Sequence, residues 1–243
     1  MKFLLVLDDV WNEDQNQWKA LQTPLKYWAK GSKILITTRT NKVASTIESN
    51  NIHGLKQLQE DHIWQVFAKH GFQDDNSKSN SMLEEIGMKI AEKCQGLPLA
   101  RETVGGILQS KSSLSEWEDV LSNNIWYLPI EDNKIIPALL LSYYHLPSYL
   151  KRCFAYCALF SKDYIFNKEY LIFLWMSENF LQCSQQSKSP EEVGEQYFND
   201  LLSRSFFRQS ISCSPKFFVM HDLLNDLAKY VSGEMCYKLG VDR

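Results

Sequence analysis

The chain has no excess of basic residues, no Asn-x-Ser/Thr sequon and no apolar stretch of bilayer length. Its 26 Lys and Arg stand against 29 Asp and Glu, a formal net charge of −3. That balance leaves no electrostatic footprint for nucleic acid. The six cysteines are scattered, and without sequons beside them they suit a reducing interior better than secretion. Apolar runs are broken by charge or proline well short of the roughly 20 residues of a spanning helix, so no membrane partner is expected. Lys2 followed by Phe3 to Leu7 is too short for a signal peptide, and Asp8 and Asp9 interrupt it at once. No repeat of solenoid period is visible. What is present is 44% apolar and 23% charged residues in 243, an ordinary globular composition with length enough for one large domain or two to three small ones. A soluble, cytoplasmic protein is expected, with the nucleus also open to it.

The most informative stretch is the first. Phe3 to Leu7 is an unbroken apolar run ending in two carboxylates, Asp8 and Asp9. Without polar alternation, it reads as a strand buried on both faces of a parallel sheet. Ligands of such sheets bind at the carboxyl ends of the strands. An Asp there matches the Walker B arrangement, in which it helps to hold Mg²⁺ on nucleotide phosphates. The same residues also fit a buried strand with a solvated Asp-Asp turn, and the motif alone does not separate the two. A helix with Trp18, Leu21, Leu25 and Trp28 on one face follows, bent or interrupted by Pro24. Lys33 to Arg39 then reads as a second buried strand, completing a right-handed βαβ unit. This places Arg39 on the sheet edge of Asp8, either as a sensor of phosphate charge or as an arginine snorkelling from a strand end.

Further along, Lys42 to Glu48 suggests a short helix and Gly54 to Leu58 a strand. From Asp61 the pattern is helical: Ile63, Val66 and Phe67 mark one helix, and Ser81-x-x-Glu84 reads as a capping box opening another, with Leu83, Ile86, Ile90 and Cys94 inward. Gly96 is a good helix stop and Pro98 a good start. Ser115-x-x-Glu118 reads as a second capping box before Trp117 and Leu121. From Ile135 aromatics become dense. Helices are expected over Lys134–Tyr144, Pro147–Leu159 and Asn167–Phe180, and Ser189-Pro190-Glu191-Glu192 opens a fourth. Ser205–Arg208 and Lys216–Met220 read as two strands around a turn, and His221-Asp222 opens a last amphipathic helix stopped by Gly233. Helices followed by a hairpin indicate a winged-helix domain. Cys153 and Cys157 lie one helical turn apart, but no other Cys or His pair has zinc spacing, so buried thiols are expected. Trp64, Trp117, Trp126 and Trp175 read as core anchors.

In order and spacing, Lys2–Trp11, Gly31–Thr40, Gly96–Ala100, Cys153–Leu181 and Met220–Ala228 resemble the successive motifs of the NB-ARC module of plant coiled-coil nucleotide-binding leucine-rich-repeat disease-resistance proteins. The likeness implies α/β plus α architecture. Residues 1–59 would be the C-terminal part of a P-loop-type parallel α/β sheet, 60–134 a small helical bundle and 135–243 a winged-helix domain. It implies an ADP/ATP switch with Mg²⁺ in the intact protein, whose family members resemble slow signalling ATPases. Asp8 would be the Mg²⁺ partner, with Asp9 second. Asp9 would also orient the attacking water, the catalytic role. Arg39, closing "TTR", would be the sensor arginine, and Thr38 beside it would belong to the nucleotide-binding residues. Gly96, Leu97 and Pro98 would shape the base side, and His221 of "MHD" would touch the ADP β-phosphate. From the residues alone, His221 reads first as a capping histidine at a helix start with Asp222.

Departures accompany the likeness. A P-loop needs Gly-x-x-x-x-Gly-Lys-Ser/Thr, and here no Gly is followed by Lys. The cradle, and an N-terminal coiled-coil domain, are expected before Met1, and leucine-rich repeats after Arg243, as partners in one receptor. Without the cradle, autonomous nucleotide binding is not expected. Arg101-Glu102 stands after Ala100 where an aliphatic residue is usual, and Ser161 stands where proline is usual. Two rivals follow: an interaction module that pairs with full-length receptors, and a winged-helix DNA binder. The helix from Asn167 to Phe180 offers Leu171, Phe173, Leu174 and Trp175 with Glu169 and Glu178, a packing face rather than a basic recognition helix.

Overall fold

The computed structural model describes residues 2–25, 27, 29–47, 51–55, 67, 68, 71, 81–128, 136–181, 189–210 and 215–233. They belong to two compact units, 1–56 and 57–243.

In the first unit, strand β1 (Leu4–Leu7) leads to helix α1 (Gln15–Leu25), strand β2 (Lys33–Ile36) and helix α2 (Asn41–Thr46). The strands pair in parallel, Leu4 opposite Lys33 through Leu7 opposite Ile36. Helix α1 ends one residue beyond Pro24, which has no N–H to continue the ladder. Helix α2 starts at Thr40, whose side chain accepts from the Val43 N–H. Trp18 and Val43 are the buried apolar side chains of this unit among the described residues. That small core corrects the expectation of strands covered on both faces. Leu4, Val6 and Leu35 share one face with Lys33 and are exposed, while Leu5, Leu7 and Ile36 are half-buried. Leu21 is likewise exposed rather than part of an inward stripe. The strand expected over Gly54–Leu58 is not present at 54–55, and its remainder lies outside the described residues, as do Trp28 and Trp64.

An apolar strand pair open on one face is an aggregation hazard. Val6→Thr with Leu35→Thr keeps strand propensity and wets that face. The double variant is expected to stay monomeric at concentrations where the unchanged chain forms large species by light scattering.

The second unit is helical around two apolar clusters. Helix α3 (Ser81–Lys93) buries Ile86, Ile90 and Ala91, and its end turns through Gln95 and Gly96, both at positive φ. Pro98 is the first residue of α4 (Pro98–Leu108). Helix α5 (Leu114–Leu121) is capped by a box, but it is Ser113 with Glu116, two residues earlier than the spacing at Ser115 suggests. That start turns both Trp117 and Val120 inward. Ser81 likewise stands inside α3 as its first residue. Helix α6 (Pro137–Tyr144) is apolar all round and serves both clusters. Ala138 and Leu141 face that of α3 to α5, while Leu139 and Leu140 face the aromatic one.

The aromatic cluster is built by α7 (Ser148–Tyr156), strand β3 (Ile165–Asn167), α8 (Lys168–Ser177), α9 (Pro190–Ser203), β4 (Arg208–Gln209), β5 (Phe217–Val219) and α10 (Asp222–Ser232). Ser189 and Glu192 make the expected capping box of α9. The hairpin gains a third strand that sequence reading missed, in the order β3-β5-β4. Phe173 on α8 is exposed, whereas Leu171, Ile172 and Trp175 are buried. The packing face is therefore narrower than the sequence suggests, because consecutive helical residues point about 100° apart. Helices α8 and α9 meet at Gly194, where an added Cβ would stand 2.4 Å from Ile172 Cγ2. Only glycine allows that approach.

Candidate nucleotide-binding edge

The carboxyl ends of β1 and β2 gather hydroxyls, carboxylates and one guanidinium. Parallel pairing sets Leu7 beside Ile36, so Asp8 and Asp9 emerge next to Thr37, Thr38 and Arg39. Thr37 holds both acids: its hydroxyl donates to Asp8 Oδ1, and its Oγ1 accepts from the Asp9 N–H at 2.8 Å. The Thr38 hydroxyl donates to the Val10 carbonyl at 2.7 Å, and the Val10 N–H reaches the Thr37 carbonyl at 2.9 Å. The two loops are thereby stitched together.

Asp9 adopts φ +50°, a left-handed conformation uncommon outside glycine and tolerated best by Asn and Asp. It turns the carboxylate toward Arg39, whose Nε and Nη2 reach Oδ1 and Oδ2 at 3.0 and 2.6 Å. This is a bidentate fork, the strongest geometry for the pair, although both groups remain over a third exposed and solvent weakens it. The Arg39 guanidinium also lies 4.3 Å from the Trp11 ring centroid, a cation–π contact that fixes its plane. The Trp18 indole N–H donates to the Asn12 carbonyl at 2.7 Å and anchors the intervening loop. Sequence reading missed Thr37 and Trp11. The signal for Thr37 was its place one residue after the last paired position of β2; nothing in the sequence alone marked Trp11.

The remaining residues lie in the second unit. Gly96, at φ +77°, and Leu97 are half-buried and Pro98 exposed, at the turn into α4. His221 caps α10: its Nδ1 accepts from the Leu223 N–H at 3.2 Å, so the neutral ring carries its proton on Nε2. The capping role and a donor role are thus compatible, one nitrogen serving each. Asp222 is buried in the first turn of α10, where the helix dipole favours a carboxylate. Met220 belongs to the aromatic core and Asn225 Nδ2 donates to the Phe160 carbonyl at 3.1 Å, so this helix start is tied down on both sides.

Cys153 and Cys157 are buried free thiols, with Cys157 Sγ donating to the Cys153 carbonyl at 3.5 Å. Burial pushes the Cys153 thiol up to about 12 and raises that of Cys157 as well, so neither is a ready thiolate. Among the described residues, no group of three His, Cys, Asp or Glu could hold a metal ion. No described helix is long and apolar enough to cross a membrane.

A parallel strand pair with acids and an arginine at its carboxyl end, and a helical unit ending in a three-stranded wing, define the class. Residues 1–77 match the NB-ARC domain, and residues 159–228 match the winged-helix domain of disease resistance proteins. Over nearly its whole length the chain is similar to plant disease resistance proteins. It is 42% identical over 238 residues to putative disease resistance RPP13-like protein 1 of Arabidopsis thaliana, covering 98% of this chain and 22% of that protein. It is 43% identical over 228 residues to disease resistance protein RGA2 of Solanum bulbocastanum, covering 93% of this chain and 23% of that one. To disease resistance protein RPM1 of Arabidopsis thaliana it is 35% identical over 240 residues, 95% of this chain and 26% of RPM1. The chain thus spans about a quarter or less of the length of these relatives.

Proposed function

We propose that this chain forms part of an ADP/ATP-binding switch in an intracellular plant immune receptor. The observation that carries the reading is the Asp8, Asp9, Thr37, Thr38 and Arg39 constellation at the carboxyl end of β1 and β2, where open parallel sheets take ligands. The donor set fits the acid side of a Mg-nucleotide site. Asp8 would hold the Mg²⁺, Asp9 would orient a water, Thr38 would set the turn, and Arg39 would meet the terminal phosphate. Bound Mg²⁺ would supply neutralisation of phosphate charge. Because no three ligating side chains converge among the described residues, most of the ion's oxygens would come from phosphate and water. Gly96, Leu97 and Pro98 would border the base, and the His221 Nε2 proton would be offered to a diphosphate. The Asp9–Arg39 fork gives the edge two settings. Closed, each charge satisfies the other; open, Arg39 is released toward phosphate and Asp9 toward water. A nucleotide that favours the open setting shifts the balance by its differential affinity.

Replacing the matched segment of the RPP13-like relative by this chain supplies the missing length. The chimera is expected to retain nucleotide through purification, and Arg39→Ala to lose preference between ATP and ADP. His221→Ala should speed ADP release at least tenfold, as loss of one charge-assisted contact would do. A chimera that purifies empty while the parent relative retains nucleotide would overturn the reading.

A second reading, a nucleotide-independent module that pairs with full-length receptors, is favoured by the self-satisfied Asp9–Arg39 fork. Co-purification of the chain with such a receptor, unchanged by ADP or ATP, would select it.

A further inference from the structure

Arg101 carries a charge that nothing among the described residues answers. It is the fourth residue of α4, and its side chain is 0% exposed. Nε, Nη1 and Nη2 all lack a hydrogen-bond partner among the described residues. Helix α4 is buried on nearly every side, Leu99, Ala100 and Thr103 to Leu108 included, so little of it meets water. Cys94, its electrostatic neighbour, and Ala100 and Val104 on the same helix belong to an apolar cluster. A guanidinium stays protonated in proteins, and an isolated buried charge is costly unless paired.

The amino end of the same helix asks for the same thing. Its cap residue, Leu97, has no side-chain oxygen and makes no capping bond, and Pro98 follows at the first position. The Leu99 and Ala100 N–H groups therefore meet no capping side chain, and they sit at the positive end of an 11-residue helix. Long side chains on a helix lean back over the preceding turn, which carries the Arg101 guanidinium toward this end. Cys94, in the turn before α4, is its electrostatic neighbour. It cannot be the counter-ion, because burial pushes its thiol up to about 12.

We propose that Arg101 and the uncapped amino end of α4 form an internal binding site for a small oxyanion, a carboxylate or phosphate group. The planar fork of donors matches two oxygens of such a group, as chloride cannot. The helix N–H groups would take the remaining lone pairs. Sealing from solvent limits the occupant to a group that enters while the cluster breathes, and strengthens each contact once it is inside. The site is built from residues of the second unit alone, and its test needs no nucleotide.

The test is thermal unfolding of the full chain in Tris chloride at constant ionic strength, with sodium acetate or sodium phosphate replacing chloride stepwise. The unchanged chain is expected to gain several degrees along a saturating curve, with a midpoint in the millimolar range. Arg101→Leu should show a flat response, and Arg101→Lys, a point charge without the fork, a weaker one. A response to acetate alone assigns a carboxylate occupant; a response to phosphate alone assigns a phosphate; both support the site. Parallel curves for the unchanged chain and Arg101→Leu, or no response in either, would overturn it. Should Arg101→Leu fail to fold, the Arg101 Nε–H resonance of the unchanged chain, assigned through Arg101→Lys, gives the same answer. It must shift with either oxyanion and not with chloride.

Discussion

In buffer free of carboxylates and phosphate, Arg101→Leu is expected to raise the unfolding midpoint of the chain by about 6–16 °C. The side chain is wholly buried, and three of its nitrogens are unpaired among the described residues. Replacing buried charges by apolar residues of similar volume is neutral or stabilising by about 1–4 kcal/mol. Here the upper part of that range applies, because no partner is stranded by the change. Each 1 kcal/mol moves the midpoint of a chain this size by roughly 2–4 °C. Leu retains much of the apolar stem that arginine places in the cluster, whereas Ala would leave a cavity, so Arg101→Ala is expected to gain less. Scanning calorimetry of the three proteins decides it. A midpoint lowered by the Leu variant would mean that the guanidinium is satisfied in solution and that its charge is not a burden.

Phe198→Ala should destabilise the second unit by about 3–5 kcal/mol, the usual cost of emptying a buried aromatic site. Phe198 is 0% exposed. Its ring stacks on Phe207 at 5.1 Å and meets Phe218 edge-on at 4.8 Å, with Trp175 6.4 Å away. Three elements thus converge on one ring: α9 that carries it, the wing through Phe218, and α8 through Trp175. Each favourable aromatic pair adds about 0.5–1.5 kcal/mol beyond its buried area. Urea unfolding followed by tryptophan emission should show a lower midpoint at unchanged slope. Phe198→Leu, which keeps most of the volume, should lose less than half as much. If Ala and Leu variants lost equally, shape-specific ring packing would matter more here than cavity volume.

Much of this was open to inspection in the residues. The helix starts at Pro98 and at Ser189-Pro190-Glu191-Glu192, the stops at Gly96 and Gly233, and the hairpin before His221 are local signals. Each rests on a cap, a fixed φ or a missing N–H within four residues, and the structure reproduces the helix starts and stops; the hairpin forms with its first strand at Arg208–Gln209 rather than Ser205–Arg208. The likeness to disease resistance proteins was also legible, because ordered motifs survive in sequence. Local signals fail where two of them compete. Ser113 and Ser115 both offer a capping spacing, and burial of Trp117 and Val120 together selects the first.

The sequence by itself determined where chain segments start and stop, that Cys153 and Cys157 would be buried thiols, and that two acids end one strand while an arginine follows another. Only the tertiary structure decided which of those charges meet. Asp9 and Arg39 are 30 residues apart and form a fork because parallel pairing sets Leu7 beside Ile36. Arg101 has no hydrogen-bond partner among the described residues, and its helix neighbours Ala100 and Val104 belong to an apolar cluster. Short-range signals act through bonds fixed within a turn or two of the chain. The pairing of a charge depends on which distant segment burial brings to it, and that is settled only when the core closes.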